Sequence, residues 1–371
     1  MIQKTDIVLI GFAVLIIGMA LTVWVQSSTS EQPGMVARNT GSTATTPPTS
    51  SQVELSFSHY FDPLAVESLI SLFEQQYPDI NVTSIPREVY EPVPAYADIT
   101  ACDSRYSSKQ DAHTTDHSRI ATHGYVFFYR IDHLEQAGLY RPPKTYLELL
   151  RAVRAIGPQS FSIGSDYYAD IYSWLWAAGI RLITNGRFNI DSKKVIEILL
   201  FIKSLSEHLA SDPFKKTESQ KVEEFIAGTT SMIIAPSYNV SVIQEYLQDS
   251  LFGVTTIPIP DDYRGKAAFA AFSHDIAFVQ NSEQKTEASL FIEFLIDHKN
   301  MLLPAENKHD PLMAKIISMF EIGELVTELQ GFSSSFGLSM QEELVKFLEE
   351  SQSAEETVQA ISHRWNNTGL R

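Results

Sequence analysis

The chain has 371 residues, 44% of them hydrophobic and 20% charged, which is enough for two ordinary lobes with cores of their own. Its formal net charge is −17, and residues 1–52 hold only two basic and two acidic side chains, so the acid excess lies in the remainder. Such a balance speaks against nucleic acid or an anionic membrane face as a partner and otherwise serves solubility.

Residues 7–25 (IVLIGFAVLIIGMALTVWV) form an uncharged apolar run with Lys4 on its inner side and Trp24 where an interfacial aromatic would anchor. The run has the roughly 20 residues of a membrane-spanning helix and exceeds the ~7–15 of a usual cleavable signal. It predicts a signal anchor over residues 1–27. Small residues at Val25-Gln26-Ser27 leave signal-peptidase cleavage open. Either way the rest of the chain is expected to be exported. No cysteine follows the apolar run, so lipid anchoring is not expected, and the single Cys102 permits no internal disulfide. Residues 28–52 are rich in Ser, Thr, Pro and Gly, cannot bury a core, and read as a flexible linker.

Alternation then predicts a strand over residues 53–58 (VELSFS), a loop at His59-Tyr60-Phe61, and a helix opened by Asp62 as cap and Pro63 in the first turn. Val66, Leu69, Ile70, Phe73 and Tyr77 keep helical spacing on one face, and residues 80–85 read as the next strand. A strand, helix and strand of this size imply a parallel pair with a right-handed crossover. The polar stretch 105–123 shows neither helical nor strand periodicity. Residues 125–129 (YVFFY) predict a short strand. Asp132 can cap a brief helix that Gly138 stops, and Thr145 with Glu148 forms a capping box after Pro142-Pro143.

Further on, Tyr167, Tyr168, Tyr172, Trp174 and Trp176 make a dense aromatic cluster, part of which must be core. A helix stopped by Gly228, a strand at 232–235 and a helix start at Pro236-Ser237-Tyr238 follow. Ser333-Ser334-Ser335 reads as a turn-like cluster without a nucleophile elbow, and no glycine-rich phosphate loop is present. No nucleophile–base pair stands out, so an enzyme is not expected. His113, His117 and His123 have a spacing open to a metal site, but their segment lacks apolar periodicity.

The phrases FSHYFDPLAVESLISLFEQQYPDINV, ADITACD, YRIDHLEQAGLYRPPKTYLELL, VEEFIAGTTSMIIAPSYNVSVI and FSHDIAFVQNSEQKTEASLFIEFL occur in this order. Together they resemble the family 1 extracellular solute-binding proteins of ABC importers, the sugar-binding type. Arg130 and Tyr146 stand where that signature usually carries Asn-Lys after the tyrosine and tryptophan after the threonine, and in the Pro236-Ser237-Tyr238 segment Tyr238 replaces the family's stacking tryptophan. By the same resemblance ADITACD is the family's second-strand segment, with Asp103 and Ser104 in the loop that follows. Between Asp103 and Gly124 the family has several more elements, so the first lobe is expected to be reduced.

The resemblance implies an α/β two-lobe fold like that of periplasmic binding proteins. Lobe 1 would comprise residues 53–124 and 277–302, and lobe 2 residues 125–276 and 303–371. Hinge segments would lie near residues 123–127, 271–278 and 303–307. The implied function is cleft closure on a small polar, sugar-like solute, delivered to the transmembrane subunits of an ABC permease, with no cofactor and no nucleic acid. The protein would sit at the inner (cytoplasmic) membrane, held in the bilayer through residues 7–25, its globular part in the periplasm or outside. His59, Tyr60, Asp103, Ser104, Tyr167, Tyr168, Asp170, Ser237, Tyr238, Ser273 and His274 are the implied ligand contacts. The aromatics would stack on sugar rings and the carboxylates would bond hydroxyls. A structural or regulatory envelope protein that kept the fold without transport is the alternative. Metal-ion binding is a weaker one, suggested by Tyr167-Tyr168 with His59.

Overall fold

The computed structural model describes residues 52–89, 91–104, 114–163, 169–184, 187–188, 192–210, 216–280, 282–303, 309–326 and 334–368. The anchor and linker expected over residues 1–52 therefore lie outside the described residues, Gln52 excepted. Among the described residues no helix is long and apolar enough to cross a membrane.

The chain opens with β1 (Val53–His59), α1 (Pro63–Gln76), β2 (Ile80–Pro86) and β3 (Ile99–Asp103). The Asp62 carboxylate accepts from the Leu64 and Ala65 amides at 2.7 and 3.2 Å, so α1 starts where the cap and proline placed it. Its buried face is Val66, Leu69, Ile70 and Phe73. β1 pairs in parallel with β2 and with β3, as the crossover required. Phe73 lies edge-on to Phe291 and Phe294 of α8 (Lys285–Asp297), with ring centroids 4.8 and 5.4 Å apart. Phe57 meets the same Phe291 at 5.5 Å, which closes a first hydrophobic core.

Next comes β4 (Thr114–Arg130), 17 residues long where the sequence pattern gave a strand of five. The missed part is polar and lies at the edge of the sheet. Its strand conformation comes from antiparallel pairing with the equally long-range partner β10 (Ala268–Val279), not from periodicity of its own. The register of this pair shifts twice, between His274 and Asp275 and between Ile276 and Phe278. Asp116, with φ 51°, takes the left-handed conformation in the second irregularity.

A second region follows: α2 (Ile131–Gln136), α3 (Tyr146–Ile156), β5 (Phe161–Ser162), α4 (Ala169–Ala177), β6 (Ile183–Thr184), β7 (Arg187–Phe188) and α5 (Ser192–Ser204). After these come α6 (Glu218–Ala227), β8 (Met232–Pro236), α7 (Asn239–Gln244) and β9 (Phe252–Thr255). The chain closes with α9 (Pro311–Ile322), β11 (Glu324–Val326), α10 (Ser334–Leu348) and α11 (Ala354–Thr368). The main sheet has the order β2-β1-β3-β10-β4-β8-β5, with β9 also on β4 and β11 also on β10. Tyr125, Phe127 and Tyr129 of β4 enter a core beneath one face with Tyr172, Trp174 and Trp176 of α4. Val126 and Phe128 enter another core beneath the opposite face with Phe225, Phe269 and Ile316. Alternation along a single strand thus feeds two cores. Ser334 and Ser335 begin α10 rather than forming a turn, because that helix packs Met340, Leu344 and Phe347 into the first of these cores.

Two local expectations are corrected. Asp132 does not cap α2, whose cap position is Arg130; it lies in the first turn and is gripped by that arginine at 2.9 and 2.7 Å. Burial alone would raise the Asp132 carboxyl, but the Arg130 guanidinium outweighs it and holds the group below the ordinary carboxylate range. Arg130 also donates to the Phe225 and Ile226 carbonyls at 3.2 and 3.3 Å and so satisfies the C-terminal end of α6. At α3, Thr145 accepts from the Glu148 amide at 3.3 Å. Glu148 in turn reaches the Lys144 amide at 2.8 Å and Arg141 at 2.5 Å, so the reciprocal half of the box forms with the residue before the cap.

Two substitutions separate a satisfied buried group from an unsatisfied one. Arg130→Met strands Asp132 and two helix-end carbonyls and should lower unfolding free energy by about 2–4 kcal/mol. The Tyr146 hydroxyl is buried and has no hydrogen-bond partner among the described residues, and its ring stacks on Phe201 at 3.9 Å. Tyr146→Phe keeps the stack and removes the orphan, so it should be neutral or stabilising by about 1 kcal/mol. Denaturant titrations of the two variants check both signs, and a destabilised Tyr146→Phe would contradict the unsatisfied hydroxyl.

Candidate functional site

β4 and β10 run side by side from the first core into the second region, and polar side chains collect where the apolar packing changes over. His274 lies directly across from Asp103 of β3, and Phe272 directly across from His123 of β4. Because strand neighbours two apart share a face, His123 and His274 come to one side of the sheet with Tyr125 and Ile276 beyond them. The ring centroids of His123 and His274 are 5.3 Å apart, and Phe272 lies 5.7 and 5.5 Å from them.

Around this strip the loops bring further groups. The Tyr60 hydroxyl, just past β1, is 2.9 Å from His274 Nδ1, and the Asp103 carboxylate is 3.8 Å from the same nitrogen. Tyr238, after β8, sets its ring edge-on to His123 at 5.1 Å and gives its hydroxyl to Glu218 of α6. A chain of Asp103, Tyr60, His274, His123 and Tyr238 is thereby assembled from five separate stretches of sequence. Asp103, His123 and His274 are buried, while the two tyrosines are half-buried. Such a set offers ring faces together with carboxylate, imidazole and phenol groups that bond hydroxyls.

The remaining expected contacts are placed unevenly. Ser104 and Ser273 meet on the other side of the strands: Ser273 N donates to Ser104 Oγ at 2.7 Å, and Ser104 N donates to the Ser273 carbonyl at 2.9 Å. Ser237 is buried behind Tyr238, its amide bonded to the Gly124 carbonyl at 2.8 Å. Asp103, Ser273 and His274 belong to strands rather than to loops, because β3 and β10 extend further than their apolar runs. His59 departs most from expectation. It ends β1, is fully buried between Phe57 and Phe61 at ring distances of 5.2 and 6.4 Å, and bonds Ser84 through Nε2 at 2.8 Å. That placement gives it a packing role at the rim of the first core. Tyr167 and Tyr168 lie outside the described residues; Asp170 sits in the first turn of α4, its side chain outside them too.

His123 had been grouped with His113 and His117 as a possible metal set. His113 lies outside the described residues, and His117 is exposed and bonded to Thr114 at 3.0 Å, whereas His123 is buried. Among the described residues no group of three His, Cys, Asp or Glu is arranged to hold a metal ion. The sequence signal for placing His123 in the strip is its strand parity with Tyr125, which the lack of alternation in the polar part of β4 obscures.

The sequence profile of the bacterial extracellular solute-binding proteins matches residues 40–306. No curated protein sequence matches the chain. Solved structures resemble it at low identity. Maltose-bound T. maritima MalE3 superposes with a TM-score of 0.67 at 17% identity, covering 85% of this chain and 100% of that one. A solute-binding protein from Agrobacterium radiobacter K84 in complex with ribitol gives 0.68 at 15%, covering 84% and 98%. The maltose/maltodextrin-binding domain MalE from Bdellovibrio bacteriovorus bound to maltotriose gives 0.69 at 13%, covering 85% and 99%. The chain therefore has the α/β two-lobe fold of periplasmic binding proteins.

Burial lowers the pKa of His59 from 6.5 to about 4, with the Phe61 backbone opposing and the Arg87 charge adding to the effect. The unfolded chain then binds a proton that the folded chain refuses, so stability falls as pH drops from 6.5 to 4. The slope is at most about 1.4 kcal/mol per pH unit and vanishes above the unfolded value. His59→Phe should remove this component. The difference in unfolding free energy between wild type and variant, followed across that window, measures it; parallel curves would refute the buried neutral imidazole.

Proposed function

The chain belongs to the bacterial extracellular solute-binding proteins, and from that premise we propose that it captures a small polar solute of the sugar or polyol class between two lobes. The observation that carries this reading is the strip of Tyr60, Asp103, His274, His123 and Tyr238 at the changeover between the hydrophobic cores. In this reading Tyr60 and Tyr238 stack on the solute, and Asp103 and His274 bond its hydroxyls. Tyr167, Tyr168 and Asp170, whose side chains lie outside the described residues, are further contacts in this reading, and Ser104, Ser237 and Ser273 support the strip. The structural neighbours bound to maltose, ribitol and maltotriose support a polyhydroxylated ligand.

The lobes of this reading are residues 53–124 with 277–302, and 125–276 with 303–371. β4 and β10 pass between them at Gly124 and Ala271, which pair with each other. Closure about these strands and about residues 303–307 traps the solute, and the closed form presents it to the transmembrane subunits of an ABC permease. Residues 7–25 tether the protein to the inner membrane, with the binding domain on the outer side.

A second reading is a structural or regulatory envelope protein that kept the fold without transport. It is favoured by the short passage from β3 to β4, which ends at Asp103 and resumes at Thr114 and makes the first lobe a reduced one.

Thermal unfolding and calorimetry of the full chain against a panel of sugars and polyols, maltose, maltotriose and ribitol among them, tests the reading. A true ligand at a hundredfold excess over its Kd stabilises the fold by about 2.7 kcal/mol. Tyr238→Ala and His274→Ala should each weaken that ligand about tenfold or more, with the folded state retained. A flat melting temperature across the whole panel would favour the envelope reading.

A further inference from the structure

Arg87 lies immediately after β2 and makes more polar contacts than any packing role at that position needs. Its Nε donates to Ser58 Oγ at 3.1 Å, and its Nη2 donates to the Ala101 carbonyl at 2.5 Å and to Thr100 Oγ1 at 3.5 Å. Its Nη1 reaches the carbonyls of Glu88, Val89 and Glu91 at 3.2, 3.4 and 3.0 Å. One planar fork thus joins β1, β3 and the loop that follows β2. The same guanidinium carbon stands 5.6 Å from the centre of the Tyr60 ring, on which it exerts a cation–π attraction. Tyr60 in turn places its hydroxyl 2.9 Å from His274 Nδ1.

We propose that Arg87 is a positioning residue that fixes the Tyr60 ring against His274, and so sets the geometry of the solute site without touching solute. The physical reason lies in the sheet. Ser58, Thr100 and Cys102 are buried on the face of β1 and β3 opposite the Phe57 core, where polar residues offer little apolar packing. Rigidity on that side therefore depends on hydrogen bonds to a rigid donor fork, and no flexible ammonium can make six of them from one plane. Tyr60 is a half-buried loop side chain whose ring also meets Phe61 at 4.8 Å and His274 at 5.8 Å. The guanidinium, 5.6 Å from the ring centre, is the cationic group that holds it in place. The functional part of this inference rests on the reading of the site given above; the Arg87–Tyr60–His274 linkage does not.

The linkage is tested without ligand by nitrogen-15 NMR of the His274 imidazole in the full chain, assigned by comparison with His274→Gln. Tyr60→Phe removes the hydroxyl and should move the His274 Nδ1 signal. Arg87→Met should move it toward the same position and should add nothing in the Tyr60→Phe background. Millimolar guanidinium added to Arg87→Ala should restore the wild-type signal, which a general loss of packing would not allow. If Arg87→Met does not fold, Arg87→Lys keeps stem and charge while losing the fork, and it should show the same displacement. A wild-type His274 signal in the folded arginine variants, or an effect of Arg87→Met that is undiminished in Tyr60→Phe, would overturn the proposal. Once a panel solute binds the wild type, Arg87→Met should weaken it about tenfold with Tyr60 present and less than twofold in Tyr60→Ala. A wild type that binds no solute fails the functional reading and leaves the NMR result standing.

Discussion

The pairing of β4 with β10 is the constraint on which the rest of the structure depends. Both strands are long enough to enter more than one core, and their ladder joins segments about 150 positions apart in the sequence. Gly124 marks the crossing. A Cβ there would come within 2.6 Å of the Phe320 ring of α9, so the absence of a side chain is what lets that helix lie directly on the strands.

The polar strip also shows how a binding fold tolerates buried ionisable groups. Asp103, His123 and His274 lose water on folding, and that cost is offset by mutual contacts and by the tyrosines that border them. Each member comes from a different element, so no single element can optimise the set. In the proposed function the set is kept for what it binds rather than for stability. Arg130 illustrates the contrasting case. Where the family signature has Asn-Lys, its planar fork grips Asp132 and the end of α6, which is a purely structural gain.

Some of this was legible in the amino-acid order because it depends on neighbours in the chain. Asp62 and Pro63 start α1, Gly228 ends α6 in the left-handed conformation with φ 76°, and apolar spacing picked out Val66, Leu69, Ile70 and Phe73. Parallel pairing of β1 with β2 followed from the length of the crossover. Local caps and periodicities are determined within a few residues, so a sequence reading reaches them. Tyr60, Asp103 and Tyr238 were legible as candidates because each stands at or near a strand end, and His274 through the family resemblance, although the role of each was not.

What only the tertiary structure decided are the features that depend on distant partners. The polar half of β4 is a strand because β10 lies beside it. His59 turns into the core because Phe57 and Phe61 enclose it, and His123 joins the strip through its register with Phe272. Arg87 is unremarkable in sequence and central in space, since its partners Ser58, Ala101 and Tyr60 are gathered only by the sheet. The sequence by itself determined the capped helices and the apolar strands, and its family resemblance pointed to an α/β two-lobe protein. Long-range hydrogen bonding, which has no local signature, decided where those segments meet and which polar groups face one another there.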